Sequence, residues 1–565
     1  MSLQSGLPTP PAHEGELCEL GSDVNFKTAH NACRSEGQYG LRYERKMGNT
    51  ELSYYLPSRQ TGVNDMYLHL GFKAPERYVQ RSRVRAVWAI LRLRHPLLSA
   101  HVEMHEYDDV RFIYTAPSSP RDLFEDADNN LEYRTQDKDE LIDSYLNGPR
   151  TLSNSRLSYV VVSEPGEAKS AVPTPPRTPS PSRSSVDAGL IHESETPTEI
   201  EREYELLICA MHFLGDGMAL HQFANDFFGL LGCDMDDADL EAMLEAEWRD
   251  RWQNISTDAS VLPRSLEEYM PLSDGRFRRT AAKVDFQLSQ ERLVGGQVFP
   301  RQKHPERRTI VPTVSFPEDR TKAILKKCKA NGVSISAALF AICDVAWARM
   351  GGPKELPVLM YSALNLRPYF TVKPPSPWNS YWYLAIGYFN IVLPSFLPAA
   401  DKVESVFWHR ARQAKDQSTR AAKSPLVASR THVMAEERGE RARGWAKEDD
   451  EKEQGTWKPP VYSSSASPPK EPILPARPKA PSAALMGLSL LGNLDGIYKH
   501  ATFPSVRLHT LTTGSRQRHG AMLLFGYTFQ GKLWISLGYD CNGYPDGFVD
   551  KFWKECLAAV DVFLG

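Results

Sequence analysis

The sequence predicts an α/β protein built in two halves, each a mixed sheet with helices packed against it. Three observations lead there. The chain has 565 residues, 41% of them hydrophobic and 24% charged, which is ordinary globular composition and enough for two cores. Continuous apolar runs of strand length alternate with stretches of three- and four-residue periodicity. Two low-complexity stretches, 164–200 and 433–482, interrupt this alternation without ending it. No internal repeat is visible.

The elements follow in order. Residues 1–35 carry little pattern and read as poorly ordered. A first lobe spans 36–254. Val84, Val87, Trp88 and Leu91 mark one helix face, and Pro96 stops that helix. Arg111–Tyr114 and Leu157–Val162 read as strands. The Pro-, Ser- and Thr-rich stretch 164–200 cannot bury enough apolar surface to order itself. It reads as an excursion between two neighbouring strands, with Ser-Pro and Thr-Pro pairs open to phosphorylation. A strand at Leu206–Met211 follows, then a helix, then an acidic helix carrying Leu240, Met243, Leu244 and Trp248. Residues 255–308 are charged, aperiodic and read as a connection.

A second lobe spans 309–565. Ser315-Phe316-Pro317-Glu318 has the form of a capping box, and Asn331-Gly332 closes the helix it opens. Further helices are expected at 336–350 and 401–423, and strands at 357–364, 485–491, 505–511, 521–528 and 532–539. Gln530-Gly531 signals a hairpin. The mixed charges and then prolines of 433–482 read as a second solvated insertion. A helix over 548–563 ends the chain.

The stretch from Met211 to Gly217 carries the most chemistry. The apolar run Leu206–Met211 fits a strand buried on both faces. Leu220, Phe223, Ala224, Phe227, Phe228 and Leu231 then fall on one helix face. His212 therefore leaves a strand, and Gly215 and Gly217 are expected to supply positive φ in the turn. An imidazole titrates near neutrality and accepts a hydroxyl proton at working pH. Asp216, four residues on across a glycine turn, is expected to point away from His212.

Several classes are excluded. A formal net charge of −3 gives no basic surplus for nucleic acid or an anionic membrane. The N-terminus has neither the basic start nor the apolar core of a secretory signal. The most apolar helical stretch, Ala337–Trp347, is short and holds Asp344, so no membrane span is expected. The eight cysteines show no CxxC spacing, so neither a metal nor a redox motif is supported. Cys209, Cys328 and Cys343 read as small core residues. A reducing, cytoplasmic setting fits.

Three places in the chain resemble the coenzyme A-dependent acyltransferase superfamily. This superfamily includes plant BAHD acyltransferases, condensation domains of peptide synthetases, and fungal alcohol and trichothecene O-acetyltransferases. His212–Gly217 matches its His-x-x-x-Asp-Gly motif. Arg94–Leu98 looks like its Arg-His-Pro-x-Leu segment. Asn365-Leu366-Arg367-Pro368 with Gly387-Tyr388-Phe389-Asn390 looks like its second-half arginine and glycine–asparagine strand. The wording looks closest to fungal trichothecene 15-O-acetyltransferases. The plant Asp-Phe-Gly-Trp-Gly loop is absent; Gly538–Gly543 is the nearest place.

The resemblance implies a two-domain chloramphenicol-acetyltransferase-like fold with a tunnel between the domains. It implies a free-standing monomer with no bound cofactor or metal, using acyl-CoA, with acetyl-CoA favoured, and a small-molecule alcohol. His212 would be the general base. Asp216 would pair bidentately with Arg367, and with Gly217 these would support the histidine corner. Backbone N–H groups near Gly217, Ser489 and Asn542 are candidates for oxyanion or substrate contact. Tyr361, Tyr369, Tyr388 and Phe389 would line an apolar acceptor pocket. Two alternatives stand beside this reading: a condensation-type or cyclising domain acting on carrier-bound groups, and a non-catalytic acyl-CoA-binding scaffold.

Overall fold

The computed structural model describes residues 40–166, 200–252, 261–271, 275–371, 379–399, 402–459 and 482–565. The first 35 residues and nearly all of 164–200 lie outside them. In the first half, strands β1 (Arg42–Lys46), β2 (Met66–Pro75), β3 (His101–Glu106), β4 (Asp109–Thr115), β5 (Leu131–Arg134), β6 (Ser158–Ser163) and β7 (Glu201–Ala210) are interspersed with helices. These are α1 (Asn49–Ser58), α2 (Glu76–Val79), α3 (Arg81–Arg94), α4 (Pro120–Asn129), α5 (Lys138–Asn147), α6 (Gly217–Leu231) and α7 (Asp237–Trp252).

The stretch read as an aperiodic connection contains two helices, α8 (Leu266–Tyr269) and α9 (Arg276–Glu291). Only Phe286 of α9 is buried; Phe277, Val284 and Leu288 fall at helical spacing but are exposed. The second half then runs β8 (Thr309–Ile310), β9 (Thr313–Phe316), α10 (Glu318–Ala330), α11 (Ile335–Arg349), β10 (Val358–Asn365), β11 (Ile386–Leu393), α12 (Val403–Ala422), α13 (Val427–Glu453), β12 (Met486–Asn493), β13 (Arg507–Ser515), β14 (Met522–Phe529), β15 (Lys532–Asp540) and α14 (Phe548–Leu564).

The strands form three sheets. The first lobe is centred on β13-β2-β7-β6-β5, with β1-β4-β3 beside it; the second holds β11-β10-β12-β14-β15-β8, with β9 also on β15. β7 is flanked on both sides, antiparallel to β2 and β6. This explains why Leu206–Met211 is an unbroken apolar run, and all six residues are buried.

One strand corrects the division at residue 309. β13 pairs antiparallel with β2, placing Leu511 opposite Leu70 in the first lobe's sheet. Its pattern marks it as a strand, but a strand's periodicity does not name its partner. The first core therefore includes second-half residues such as Trp382, Leu384 and Tyr498. The second core packs α11, α12 and α14 on the seven-stranded sheet. Asp344, buried in α11, pairs with Arg410 of α12 at 2.9 Å. Burial pushes its carboxyl up to about 7, against the pull of Arg410. No single described helix is long and apolar enough to cross a membrane.

Two local readings change. Ser315 does not cap α10: it lies in β9 opposite Trp534, and Pro317 takes the cap position. The hairpin is as expected, with Gln530 and Gly531 both at positive φ.

The largest correction is α13. Residues 433–453, read as a solvated insertion, lie inside a 27-residue helix; residues 460–481 fall outside the described residues. After Val427, Thr431 and Val433, its buried residues are Ala435, Gly439, Ala442 and Ala446, which are small residues at helical spacing. Such a stripe lets two helices approach closely but carries almost no hydrophobic signal among charges. A Cβ on Gly439 would stand 2.4 Å from Asn49 Oδ1 at the start of α1, whereas Gly444 has nothing within 4 Å. Gly439→Val is therefore expected to destabilise by about 1–3 kcal/mol through overpacking. Gly444→Ala is expected to be neutral or to stabilise by up to about 1 kcal/mol. Thermal unfolding of both variants checks this; equal effects would contradict the close α1–α13 contact.

Candidate active site

β7 ends at Ala210, one 3₁₀ turn spans His212–Leu214, and α6 begins at Gly217. The corner does not use positive φ. Gly215 is extended at φ −177°, and Gly217 starts α6 as an ordinary helical residue. Glycine is needed for space. A Cβ on Gly215 would sit 2.9 Å from the Trp382 ring, and one on Gly217 would sit 3.1 Å from Leu491.

His212 Nδ1 lies 3.0 Å from the Gly215 carbonyl. A carbonyl only accepts, so Nδ1 carries the hydrogen and the neutral ring leaves Nε2 bare. Among the described residues Nε2 has no hydrogen-bond partner. The ring packs on Tyr54 with centroids 4.6 Å apart. Burial pushes the imidazole below its ordinary 6.5 and outweighs the opposing pull of Asp216; Arg438 adds to the lowering.

Asp216 is turned away from His212, and its carboxylate is fully engaged. As the N-cap of α6, it accepts from Met218 N–H at 3.1 Å and Ala219 N–H at 3.2 Å. It also accepts from Ala385 N–H at 2.9 Å. Arg367 Nη1 bridges both carboxylate oxygens at 3.0 and 2.9 Å. The expected bidentate pair is thus made through one nitrogen. Nη2 instead donates to the carbonyls of Tyr381 and Tyr383 at 3.2 and 3.1 Å.

The Arg94–Leu98 segment supports this same stretch. His95 Nδ1 meets Ser380 Oγ at 3.0 Å, and its ring packs on Tyr381 at 4.3 Å. Burial holds the His95 imidazole well below its ordinary range, so it serves as a neutral spacer.

Tyr54 reaches His212 from α1, which is fixed at its start by two carboxylates. Buried Glu51 takes both Arg45 nitrogens at 2.8 Å. Glu267 takes the Thr50 N–H and hydroxyl at 2.8 and 2.6 Å. The Tyr54 hydroxyl meets that of Tyr388 from β11, closing the seam between lobes beside the histidine. The Arg438 guanidinium lies over both rings, 5.4 Å from Tyr54 and 4.6 Å from Tyr388.

These groups border a cavity of about 1760 Å³ shared by the two lobes. This exceeds the roughly 300–1,000 Å³ usual for one small ligand. His212, Ser489, Tyr361, Tyr388 and Phe389 line it, and Ser489 has no hydrogen-bond partner among the described residues. Asp216, Gly217 and Arg367 stand behind His212 as supports.

Three expectations fail. Asn542 does not line the cavity; it donates to the Glu306 carbonyl at 3.0 Å on a separate turn. Tyr369 turns away and donates to the Ala422 carbonyl. The Met218 and Ala219 N–H groups near Gly217 are taken by Asp216 and are not free for an oxyanion. The residues that sequence reading missed are Tyr54 and Arg438. Tyr54 sits in a helix of weak amphipathic pattern, and Arg438 sits in the stretch taken as an insertion. The small-residue stripe of α13 was the only signal for the latter.

No protein-family model and no curated protein sequence matches the chain. Solved structures do. TRI3, the trichothecene 15-O-acetyltransferase from Fusarium sporotrichioides, aligns with a TM-score of 0.66 at 12% identity, over 94% of this chain and 97% of that one. The condensation domain from the Monacolin K polyketide synthase MokA aligns at 0.52 and 9% identity, over 92% and 97%. The EpoB NRPS cyclization-docking bidomain from Sorangium cellulosum aligns at 0.51 and 10%, over 92% and 85%. The fold is therefore the two-domain, mixed α/β fold of condensation domains and chloramphenicol-acetyltransferase-like enzymes.

Asp216 is enclosed, at 2% exposure. Breaking a buried pair by removing one charge leaves the other uncompensated, at a cost of about 3–5 kcal/mol. Asp216→Asn is expected to lower the unfolding temperature and soluble yield at least as strongly as it lowers any activity. A variant with wild-type unfolding would contradict the supporting role.

Proposed function

We propose that this protein is an O-acyltransferase that moves an acyl group from acyl-CoA to the hydroxyl of a bulky, mostly apolar alcohol. One observation carries the reading: a neutral imidazole with its Nδ1 hydrogen tied to a backbone carbonyl lines a cavity large enough for two substrates. In this scheme Nε2 takes the acceptor's hydroxyl proton as the oxygen attacks the thioester carbonyl. The carbonyl π pair moves to oxygen, and the free Ser489 hydroxyl is the available side-chain donor for that oxyanion. Collapse expels the CoA thiolate, which recovers the proton from Nε2 and leaves as the thiol. Asp216 and Arg367 position the corner and exchange no proton.

Acetyl-CoA is the favoured donor, and a sesquiterpenoid alcohol of trichothecene type is the favoured acceptor class. The support is the likeness in fold to TRI3 and the aromatic wall of Tyr361, Tyr388 and Phe389.

Thiol release from acetyl-CoA with a panel of hydroxylated terpenoids tests the proposal, and a carrier-bound donor serves as the comparison. His212→Ala is expected to cut turnover by roughly 10²–10⁴, as for loss of a general base; near wild-type turnover would remove His212 from the chemistry. The sign of the pH effect is fixed by burial. A depressed imidazole pKa keeps Nε2 bare to lower pH, so kcat/KM is expected to hold through pH 6.5 and fall only below it. An acid limb centred above 6.5 would contradict a desolvated base.

A further inference from the structure

The cavity wall beside His212 holds a cation for which the acyl-transfer scheme has no use. Arg438 of α13 lines the cavity. Its guanidinium is separated from the histidine by a single ring. It lies 5.4 Å from the centre of Tyr54, whose ring centre is 4.6 Å from that of His212.

A guanidinium stays charged at every working pH, and Arg438 is half-buried at the cavity wall without a carboxylate counter-ion. Among the described residues, no carboxylate stands within ion-pair distance of Arg438. Its polar neighbours are the phenols of Tyr388 and Tyr54. The two aromatic faces steady the cation, and two phenol oxygens leave most of its five N–H donors open to solvent or to a ligand in the cavity. Arg292, Arg420, Arg430, Arg441 and Arg518 also line the cavity, but Arg438 is the arginine that stacks on Tyr54 beside His212. Arg430 is forked on Asp285 at 2.7 and 3.0 Å, and Arg441 lies over Trp445 at 5.9 Å. Glu437 also lines the cavity but forms no ion pair with its chain neighbour.

We propose that Arg438 is the recognition residue for a carboxylate carried by one of the two substrates, close to the point of acyl transfer. This rests on the acyl-transfer reading of the site and replaces either acetyl-CoA or the neutral terpenoid alcohol with a carboxylate-bearing counterpart. The phosphates of CoA are not the partner. The pantetheine arm holds the nearest phosphate much farther from the thioester than two ring contacts hold Arg438 from His212. The carboxylate then ends the acyl chain of a dicarboxylic donor or belongs to a hydroxy-acid acceptor. In either position a planar, two-pronged donor suits it better than an ammonium would.

Calorimetric binding to the full chain separates the two sources and does not depend on turnover. One arm compares succinyl-CoA with butyryl-CoA, which have the same chain length and differ by carboxylate against methyl. The other compares 6-hydroxyhexanoate with its methyl ester. In one arm the carboxylate member is expected to bind at least tenfold tighter, and that arm names the source. Arg438→Gln is expected to abolish the difference, and Arg438→Lys to retain part of it. Equal affinities within both arms of the wild-type protein overturn the proposal, whether or not the variants fold. So does a preference that survives in Arg438→Gln. Acyl transfer is read separately by thiol release from the same mixtures. Its absence alongside a carboxylate preference would count against the acyl-transfer reading and not against Arg438 as the anion's partner.

Discussion

The carboxylate of Asp216 is the contact on which the site depends. It caps α6 through Met218 and Ala219, holds the first residues of the β11 strand region through Ala385, and neutralises Arg367. The cap belongs to the first lobe; Ala385 and Arg367 belong to the second half of the chain. One buried acid thus fixes the orientation of a helix and joins two lobes at the same point. Arg367 extends the joint by holding the carbonyls of Tyr381 and Tyr383, and His95 steadies the same stretch through Ser380.

The histidine benefits from this arrangement without touching the carboxylate. Its orientation comes from the Gly215 carbonyl, one residue before the acid. Because Asp216 is consumed by four other donors, it does not draw the imidazole toward the charged form as strongly as a direct pair would. Burial therefore prevails, and the ring is kept neutral. The two tasks, joining the lobes and presenting a neutral imidazole, are performed by adjacent residues with separate partners. Gly215 permits the close packing of Trp382 that seals the back of the corner.

Much of this was legible in the sequence because burial leaves a periodic trace. The apolar run before His212 and the helical face after it placed the corner correctly, and Asp216 with Arg367 met as the resemblance implied. What was not legible has physical reasons. Trp382 explains the glycine at 215, and a residue so distant in sequence gives no local signal for a steric need. Strand β13 reads as a strand but not as a member of the first lobe's sheet. The charged part of α13 was hidden because from Ala435 onward its buried residues are alanine and glycine, so the charges around them dominate the composition. Tyr54 and Arg438 were lost with it, since both acquire meaning only where α1, β11 and α13 converge. Asn542 shows the opposite error: a polar residue after a suitable strand, but on a turn facing the Glu306 backbone.

The central claim is that His212 is a neutral base with its hydrogen on Nδ1 and Nε2 bare. Nitrogen-15 NMR of the protein labelled at histidine, with His212→Ala used for assignment, reads this state directly. The account predicts a His212 signal of the Nδ1–H tautomer at neutral pH that protonates only below the ordinary histidine range. An Nε2–H tautomer, or an imidazolium at pH 7, would contradict it.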